Sequence, residues 1–331
     1  MGLNILSLFD GISGAQVALN RANIEYDTYI ASEVDKNAME VTNKNYPNTI
    51  QLGDVHHINK YDLPEIDLLI AGSPCQGFSW AGKRLNFDDP RSKLFFEFDK
   101  LLNKLQPKYF MLENVVMAKE SIQVINTCLG VDPIKINSAD FSAQDRKRLY
   151  WTNINFNRDW GYSSLTVEDI LEHEVDDKYY IEPKRTVEII NKEIDKLKNR
   201  QKVAYIETDS QANRIYTIHG KSVCLCGDAG GLGAKTGLYA LPCITPDRVN
   251  KRQNGRRFKP PHSKFYTLTA QDKHGVLINN HIRKLTPVEC ERLQTFHDNY
   301  TEGASDNQRY KMLGNGFTVD VVAHILKGIK E

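Results

Sequence analysis

"NILSLFDGISGAQVALNRA" (residues 4–22) joins two periodicities through a glycine turn, and its reading decides the fold. Residues 4–9 are a short apolar run of strand length, whereas 14–22 place Ala15, Ala18 and Leu19 on one helical face. Between them, Asp10, Gly11, Ser13 and Gly14 make a junction whose backbone amides can lie beside a ligand with no side chain in the way. The alternation continues with a strand in "TYIASE" (28–33), a helix in "DKNAMEVTNKN" (35–45) opened by an Asp cap, and a strand in "IDLLIAG" (66–72). A helix in "KLFFEFDKLLNKL" (93–105) and a strand in "YFMLENV" (109–115) follow. This order predicts an α/β fold with a doubly wound, mostly parallel sheet, in which ligands bind just beyond the carboxyl ends of the strands. Asp10, Gly11, Glu33, Cys75 and Glu113 fall at such ends, as does Asp54 of "QLGDV", read as closing a further strand.

With 331 residues, of which 40% are hydrophobic and 26% charged, the chain can bury a large core as one big domain or two ordinary ones. No apolar run approaches the roughly 20 residues of a membrane span. The start, "MGLNILSLFDG", has no basic leader region, and Leu6 stands where a myristoylation signal needs Ser or Thr. Six cysteines are sparse for this length and fit free thiols in a reducing cytoplasm, the expected location. The net charge of +1 conceals segregation. Residues 184–280 hold 18 Lys and Arg against 8 Asp and Glu, and the remainder holds 25 against 34. One face built for a polyanion explains this, as does a lysine-rich solvated surface.

From about residue 154 the pattern changes. "TVEDILE" (166–172) and "RTVEIINKEIDKLKNR" (185–200) read as helices, followed by glycine-rich, strand-poor stretches at 226–237 and 250–264. The second of these carries six basic residues and no acidic one. After residue 283, "TPVECERLQTF" (286–296) reads as a helix with proline in its first turn, and "TVDVVAHILKGI" (318–329) as another. The layout expected is a catalytic and cofactor-binding unit at 1–153, linker helices and a basic recognition insert at 154–282, and a return to the first unit at 283–331.

Cys75, on the Gly-Ser-Pro turn of "GSPCQGFSW" (72–80), reads three ways: a small buried hydrophobe, a metal ligand, or a nucleophile. No second Cys or His lies at metal-ligand spacing, and Cys224 and Cys226 are two apart rather than at finger spacing, so no metal is expected. A nucleophilic thiol needs its proton removed or its charge stabilised, with Glu113, Arg146 and Arg148 as candidates. Glu113 is unusual in an apolar strand and is either functional or a cap for the helix in "VVMAKESI" (115–122). There is no G-x-G-x-x-G and no P-loop lysine, which weakens dinucleotide and triphosphate readings.

Taken in order, "FDGISG", "EVD", "GDV", "GSPCQGFSWAGKR", "ENV", "QDRKR", "RKLTPVECERLQTF" and "GNGFTVDVVAHI" resemble the ordered motifs of DNA (cytosine-5) methyltransferases, over residues 4–153 and 283–328. The resemblance implies a class I S-adenosylmethionine-dependent fold and transfer of a methyl group to carbon 5 of a flipped-out cytosine. In that reading the Cys75 thiolate adds to carbon 6, Glu113 holds ring nitrogen 3 and the exocyclic amine, Arg146 positions the base, and Arg148 supports the catalytic loop. S-adenosylmethionine would be held by Phe9 on the adenine, with Asp10, Gly11, Ile12 and Gly14 along the turn. Glu33 would take the ribose and Asp54 the adenine amine, with Val34, Val55, Leu94 and Asn315 completing the walls. Gln76, Ser79 and Arg84 would close over the base on a loop hinged at Gly77 and Gly82. Arg252, Arg256, Arg257 and Lys259 of the insert would contact phosphates. The last motif departs from the family, with Gly-Phe where Ser-Val is commoner after Gly-Asn. The implied partner is double-stranded DNA, with a cognate restriction endonuclease acting on the same sites but not in stable complex, and the protein is expected to be a monomer. Rival readings are an RNA cytosine methyltransferase, whose Cys-Phe-Thr signature is missing, a catalytically inactive DNA-binding homologue, and a nicotinamide-dependent oxidoreductase.

Overall fold

The computed structural model describes residues 2–73, 94–195, 202–205, 214–216, 241–250, 255–260, 262–278 and 281–329. Its centre is a seven-stranded sheet in the order β3-β2-β1-β4-β5-β7-β6. The strands are β1 (Leu3–Leu8), β2 (Tyr26–Ser32), β3 (Ile50–Gln51), β4 (Leu68–Gly72), β5 (Tyr109–Val115), β6 (Ile134–Asn137) and β7 (Lys147–Thr152). The β3-β2-β1-β4-β5 pairings are parallel, and β7 runs antiparallel to both of its neighbours. A strand buried on both faces reads as a continuous apolar run rather than an alternation, which is why "NILSLF" and "IDLLIAG" are legible as strands.

Alternation then sorts the side chains between two cores. Ile5, Ala31, Ile70, Met111 and Tyr150 face one side, packed by α1 (Gly14–Arg21), α2 (Lys36–Asn45) and α8 (Val319–Leu326). Leu6, Leu8, Leu69, Leu112 and Trp151 face the other, under Phe95, Phe98 and Leu101 of α3 (Leu94–Leu105) and Ile125 and Leu129 of α4 (Lys119–Leu129). The chain moves outward from β1 to β3, then crosses to β4 on the other side of β1. The loops after β1 and β4 therefore part, and a crevice opens between them.

A second sheet joins β10 (Leu241–Ile244), β11 (His274–Ile278) and β12 (His281–Lys284), and β8 (Lys202–Tyr205) pairs with β9 (Arg214–Tyr216). Against this sheet lies α5 (Pro183–Asp195), through Ile189, Cys243 and Ile282. The segment read as a helix at 166–172 is only a 3₁₀ turn, Glu168–Ile170, with the Asp169 carboxylate accepting from Thr166 N at its start. Arg283 and Lys284 belong to β12, so the smaller sheet runs two residues past the boundary expected at 282. Arg283 pairs with Glu289 at 2.6 Å, both buried, and this ties β12 to α6 (Pro287–Leu293). A Thr286–Glu289 capping box opens α6, with Pro287 in its first turn. Its successor α7 (Asp306–Asn315) leads into the Gly316–Phe317 turn. No described helix is long and apolar enough to cross a membrane.

Candidate active site and its relatives

The turn after β1 is held in an unusual backbone conformation. Phe9, Gly11 and Ser13 have φ of 55°, 60° and 55°, in the left-handed region that side chains other than glycine rarely adopt. The surroundings over-determine it. Asp10 N donates to Ser32 O, Ser13 N donates to Asp10 O, and Gly11 N donates to Glu33 Oε2 at 2.8 Å. The Asp10 carboxylate points down into the fold, accepting from Tyr29 Oη at 2.6 Å and from Ser13 Oγ. Burial pushes Asp10 up to about 6, against the lowering effect of these hydrogen bonds. Glu33 Oε1 also accepts from the amides of Val34 and Asp35 at 2.7 and 2.8 Å.

These residues line a cavity of about 440 Å³ at the carboxyl ends of β1, β2, β4 and β5. Every residue expected at the cofactor lines it: Phe9, Asp10, Gly11, Ile12, Gly14, Glu33, Val34, Asp54, Val55, Leu94 and Asn315. Asp54 does not close β3, which ends at Gln51. It caps a 3₁₀ turn (Val55–Lys60), and its Oδ1 accepts from His56 N at 3.0 Å and pairs with His56 Nδ1 at 2.7 Å. The His56 backbone bond, more than its side chain, holds the Asp54 carboxyl below the usual carboxylate range. Val34 is 68% exposed, an apolar side chain presented at the mouth of the cavity. An amphiphilic adenosyl group suits this donor set: backbone opened by glycine, apolar Phe9 and Val34, and two carboxylates able to accept from hydroxyl and amino groups.

At the far end of the cavity, β5 and β7 bring Glu113 and Arg148 together. Glu113 sits opposite Gly72 on one side and Tyr150 on the other. Its Oε1 meets Arg148 Nε at 2.9 Å, with both side chains mostly buried. Glu113 is no helix cap, since α4 begins at Lys119 with Ala118 as its N-cap.

The two arginines differ from expectation. Arg146 is 3% exposed and donates to Leu268 O at 3.0 Å, Gly314 O at 3.3 Å and Gly316 O at 3.1 Å, so it fastens the last motif to the sheet. It is Arg148 that reaches Glu113. β7 begins at Lys147, so Arg146 lies in the loop before the strand, where its guanidinium reaches the Gly314 and Gly316 carbonyls, whereas Arg148 is in the strand beside β5.

The sequence reading missed several lining residues. Asn114 Nδ2 donates to Ser73 Oγ at 2.8 Å, bracing the residue that follows β4. Phe317 lies over Gly72, where a Cβ would come within 2.9 Å of the ring and 3.7 Å of Glu113 Oε2. The Phe of the divergent motif thus walls the boundary between the cofactor end and the Glu113 end. Its signal was its divergence, together with the glycine that faces it. Cys75, Gln76, Gly77, Ser79, Gly82, Arg84 and Arg252 lie outside the described residues. Cys243 is fully buried among Ile181, Ile189 and Ile282 and does not line the cavity. Among the described residues, no group of three or more His, Cys, Asp or Glu could hold a metal ion.

A second concavity of about 450 Å³ adjoins the first, sharing Val115 and Arg148, and is lined also by Lys135, Asp145, Lys147, Lys259, Tyr266 and Thr267. Of the insert's expected phosphate contacts, Arg256 is exposed. Arg257 is not available: it is 1% exposed and donates to Arg248 O at 2.7 Å and Val249 O at 2.9 Å. Its charge is spent on closing the turn after β10.

A sheet of this order with a single reversed strand, and a cavity at its carboxyl edge lined by residues that suit an adenosyl group, is the arrangement of the class I S-adenosylmethionine-dependent methyltransferase fold. The model of the C-5 cytosine-specific DNA methylase family matches residues 3–331. The orphan methyltransferase M.SPRI of Bacillus phage SPR is 30% identical, covering 98% of this chain and 97% of its own. The type II methyltransferase M.HhaI of Haemophilus parahaemolyticus is 27% identical, covering 99% and 94%. Among solved structures, the Entamoeba histolytica methyltransferase EhMeth superposes with a TM-score of 0.64 at 18% identity, covering all of both chains, a likeness of fold. The chain belongs to the C-5 cytosine-specific DNA methylase family. It is a DNA cytosine-5 methyltransferase whose methyl donor is S-adenosylmethionine.

Proposed function

We propose that Cys75 is the nucleophile and that the Glu113–Arg148 pair holds the target cytosine, in a sequence-specific methylase that modifies duplex DNA for restriction-modification or phage self-protection. The supporting observation is that this pair shares one cavity with the adenosyl-type cradle at the end of β5. Carbon 5 of cytosine is a poor nucleophile. Addition of the Cys75 thiolate to carbon 6 would push the ring's electron pair onto carbon 5, which would take the methyl group as its bond to the donor's sulfonium sulfur breaks and a neutral thioether is left. The proton on carbon 5 is lost and the thiolate is eliminated, restoring the aromatic ring. Bound S-adenosylmethionine supplies the electrophilic methyl. Glu113 hydrogen-bonds the ring's nitrogen edge while charge moves onto it, and Arg148 supplies a fixed positive charge beside it. Phe9, Ile12, Val34 and Val55 would pack on the adenosyl and methionine portions, Glu33 would accept from the ribose, and Asp54 from the adenine amine. A stacked base cannot admit attack from above its plane, so the cytosine must leave the duplex, with Gln76, Ser79 and Arg84 closing behind it. The duplex would lie over the second concavity, with Lys135, Lys147 and Arg256 near phosphates. An endonuclease would share the recognised site without binding this chain, which acts in the cytoplasm as a monomer.

Incubation with labelled S-adenosylmethionine and mixed-sequence duplex DNA should yield 5-methylcytosine, and bisulfite sequencing of the product returns the recognised site. Cys75→Ser should abolish both turnover and covalent trapping by 5-fluorocytosine DNA. A folded Cys75→Ser protein that still traps this DNA would place the nucleophile elsewhere.

A further inference from the structure

Lys259, read from sequence as a phosphate contact, points inward. Its ammonium has three N–H groups. Two donate to Lys264 O at 3.0 Å and Phe265 O at 3.3 Å, and the third side meets Asp145 Oδ2 at 3.5 Å, with the Tyr266 ring 4.7 Å away. Nothing in that set is left to point at a phosphate. Burial lowers the Lys259 pKa, and the Asp145 charge opposes the shift.

Its two ends belong to different parts of the molecule. The backbone at 257–259 extends the edge of β10, with Ile244 N donating to Arg257 O and Lys259 N to Pro242 O. Asp145 lies in the loop that feeds β7. This loop is laced to the segment at 265–268: Phe265 N donates to Ala143 O, Asp145 N to Phe265 O, and Thr267 Oγ1 to Asp145 O at 2.6 Å. On the other side Asn137, ending β6, donates through Nδ2 to Asp145 Oδ1 and accepts from Arg146 N through Oδ1, at 3.1 and 3.0 Å. The 265–269 segment lies tight against Gly314, where a Cβ would come within 2.4 Å of the Thr269 carbonyl carbon, and Arg146 ties the two by donating to Leu268 O and Gly314 O. A single ammonium therefore joins the edge of the recognition sheet to the turn that sets the register of Arg148.

We propose that Lys259, through Asp145, is a positioning residue that fixes Arg148 against Glu113 and transmits the placement of the recognition insert to the reacting base. The proposal rests on the reading of Arg148 and Glu113 given above. Its logic is geometric: catalytic groups displaced by about 1 Å can lose on the order of a hundredfold in rate with binding intact.

The test uses the full chain with Lys259→Met, Asp145→Asn, the double substitution and Lys259→Arg. For each, the measurements are kcat at saturating duplex DNA, DNA affinity from 50 to 200 mM salt, and the melting temperature. Each single substitution should lower kcat by about tenfold to a hundredfold with the salt slope of DNA binding unchanged. The double should be no worse than the poorer single, and Lys259→Arg should recover most of the loss. Full kcat in Lys259→Met, with a salt slope reduced by about 0.9, would overturn the proposal in favour of a phosphate contact. Additive losses in the double would overturn it as well. If Lys259→Met does not fold, the near-isosteric Asp145→Asn and Lys259→Arg carry the same comparison. Arg148→Met assayed in parallel separates the premise from the proposal: an active Arg148→Met removes the premise, whatever Lys259 does.

Discussion

Arg146→Met and Arg148→Met should fail in opposite ways. Arg146 is almost wholly buried and its guanidinium serves Leu268 O, Gly314 O and Gly316 O. Gly316 O keeps a second donor, Gln294 Nε2 at 3.2 Å, so the substitution strands chiefly Leu268 O and Gly314 O. A buried carbonyl left without a donor costs about 1–3 kcal/mol. Two of them, offset in part by relief from burying a guanidinium, give about 3 kcal/mol. At about 2.1 cal/mol/K per residue, the unfolding entropy of a chain this long is about 0.7 kcal/mol/K, so Arg146→Met should melt about 4 °C lower. Arg148 instead faces the cavity beside Glu113, where water can enter and solvate the carboxylate left behind, so its loss should lower the melting temperature less than the loss of Arg146 does. Losing one fixed charge next to the developing anion should lower kcat by about 10²–10³-fold. Differential scanning calorimetry and single-turnover methylation measure the two quantities. The division of roles is wrong if Arg146→Met melts like wild type yet is inactive, or if Arg148→Met melts several degrees lower with its single-turnover rate intact.

Gly72→Ala should destabilise by about 1–3 kcal/mol through overpacking against Phe317, and Phe317→Leu should restore much of that loss. Purely additive denaturation midpoints would show that the two do not meet. Asp10 is raised from 3.8 to about 6, so the folded state holds its proton more tightly than the unfolded chain. The stability this contributes is fully present below about pH 4 and is lost as pH rises through about 6, a swing of about 3 kcal/mol. Urea unfolding at pH 4.5 and 7 should show about 2 kcal/mol of this swing in wild type beyond the pH dependence of Asp10→Asn, and equal pH dependence in both would remove the burial argument. Arg256→Ala should make the salt slope of DNA binding shallower by about 0.9, whereas Arg257→Met should leave the slope unchanged and lower the melting temperature, since its guanidinium closes a buried turn.

How much was legible in the sequence follows from which interactions are local. Strands buried on both faces announce themselves as apolar runs, so β1, β4 and β5 and the helices between them could be placed to within two residues. Turn chemistry is local too, and the Asp-Gly-Ile-Ser-Gly stretch and the Asp35 cap were readable for that reason. Polar side-chain direction was not. Arg146 and Arg148 are two residues apart in the sequence, Arg256 and Arg257 are neighbours in one basic run, and Lys259 belongs to the same run. A sequence shows each of them as a positive charge. Whether that charge meets a carboxylate, a stranded carbonyl or open solvent depends on partners as distant as Gly314 and Glu113.

The α/β alternation, the strand ends that gather the cofactor residues, and the ordered motifs of a cytosine-5 DNA methylase could all be read from the chain as a string. Periodicity, caps and turns are short-range, and the motifs are strings. Which arginine faces Glu113, that Arg257 and Lys259 turn inward, and that Phe317 fills the space above Gly72 emerge only once the chain is folded. Each depends on atoms far apart in the chain being brought within a few ångströms, and burial then sets whether a charge is left for DNA or consumed in holding the fold.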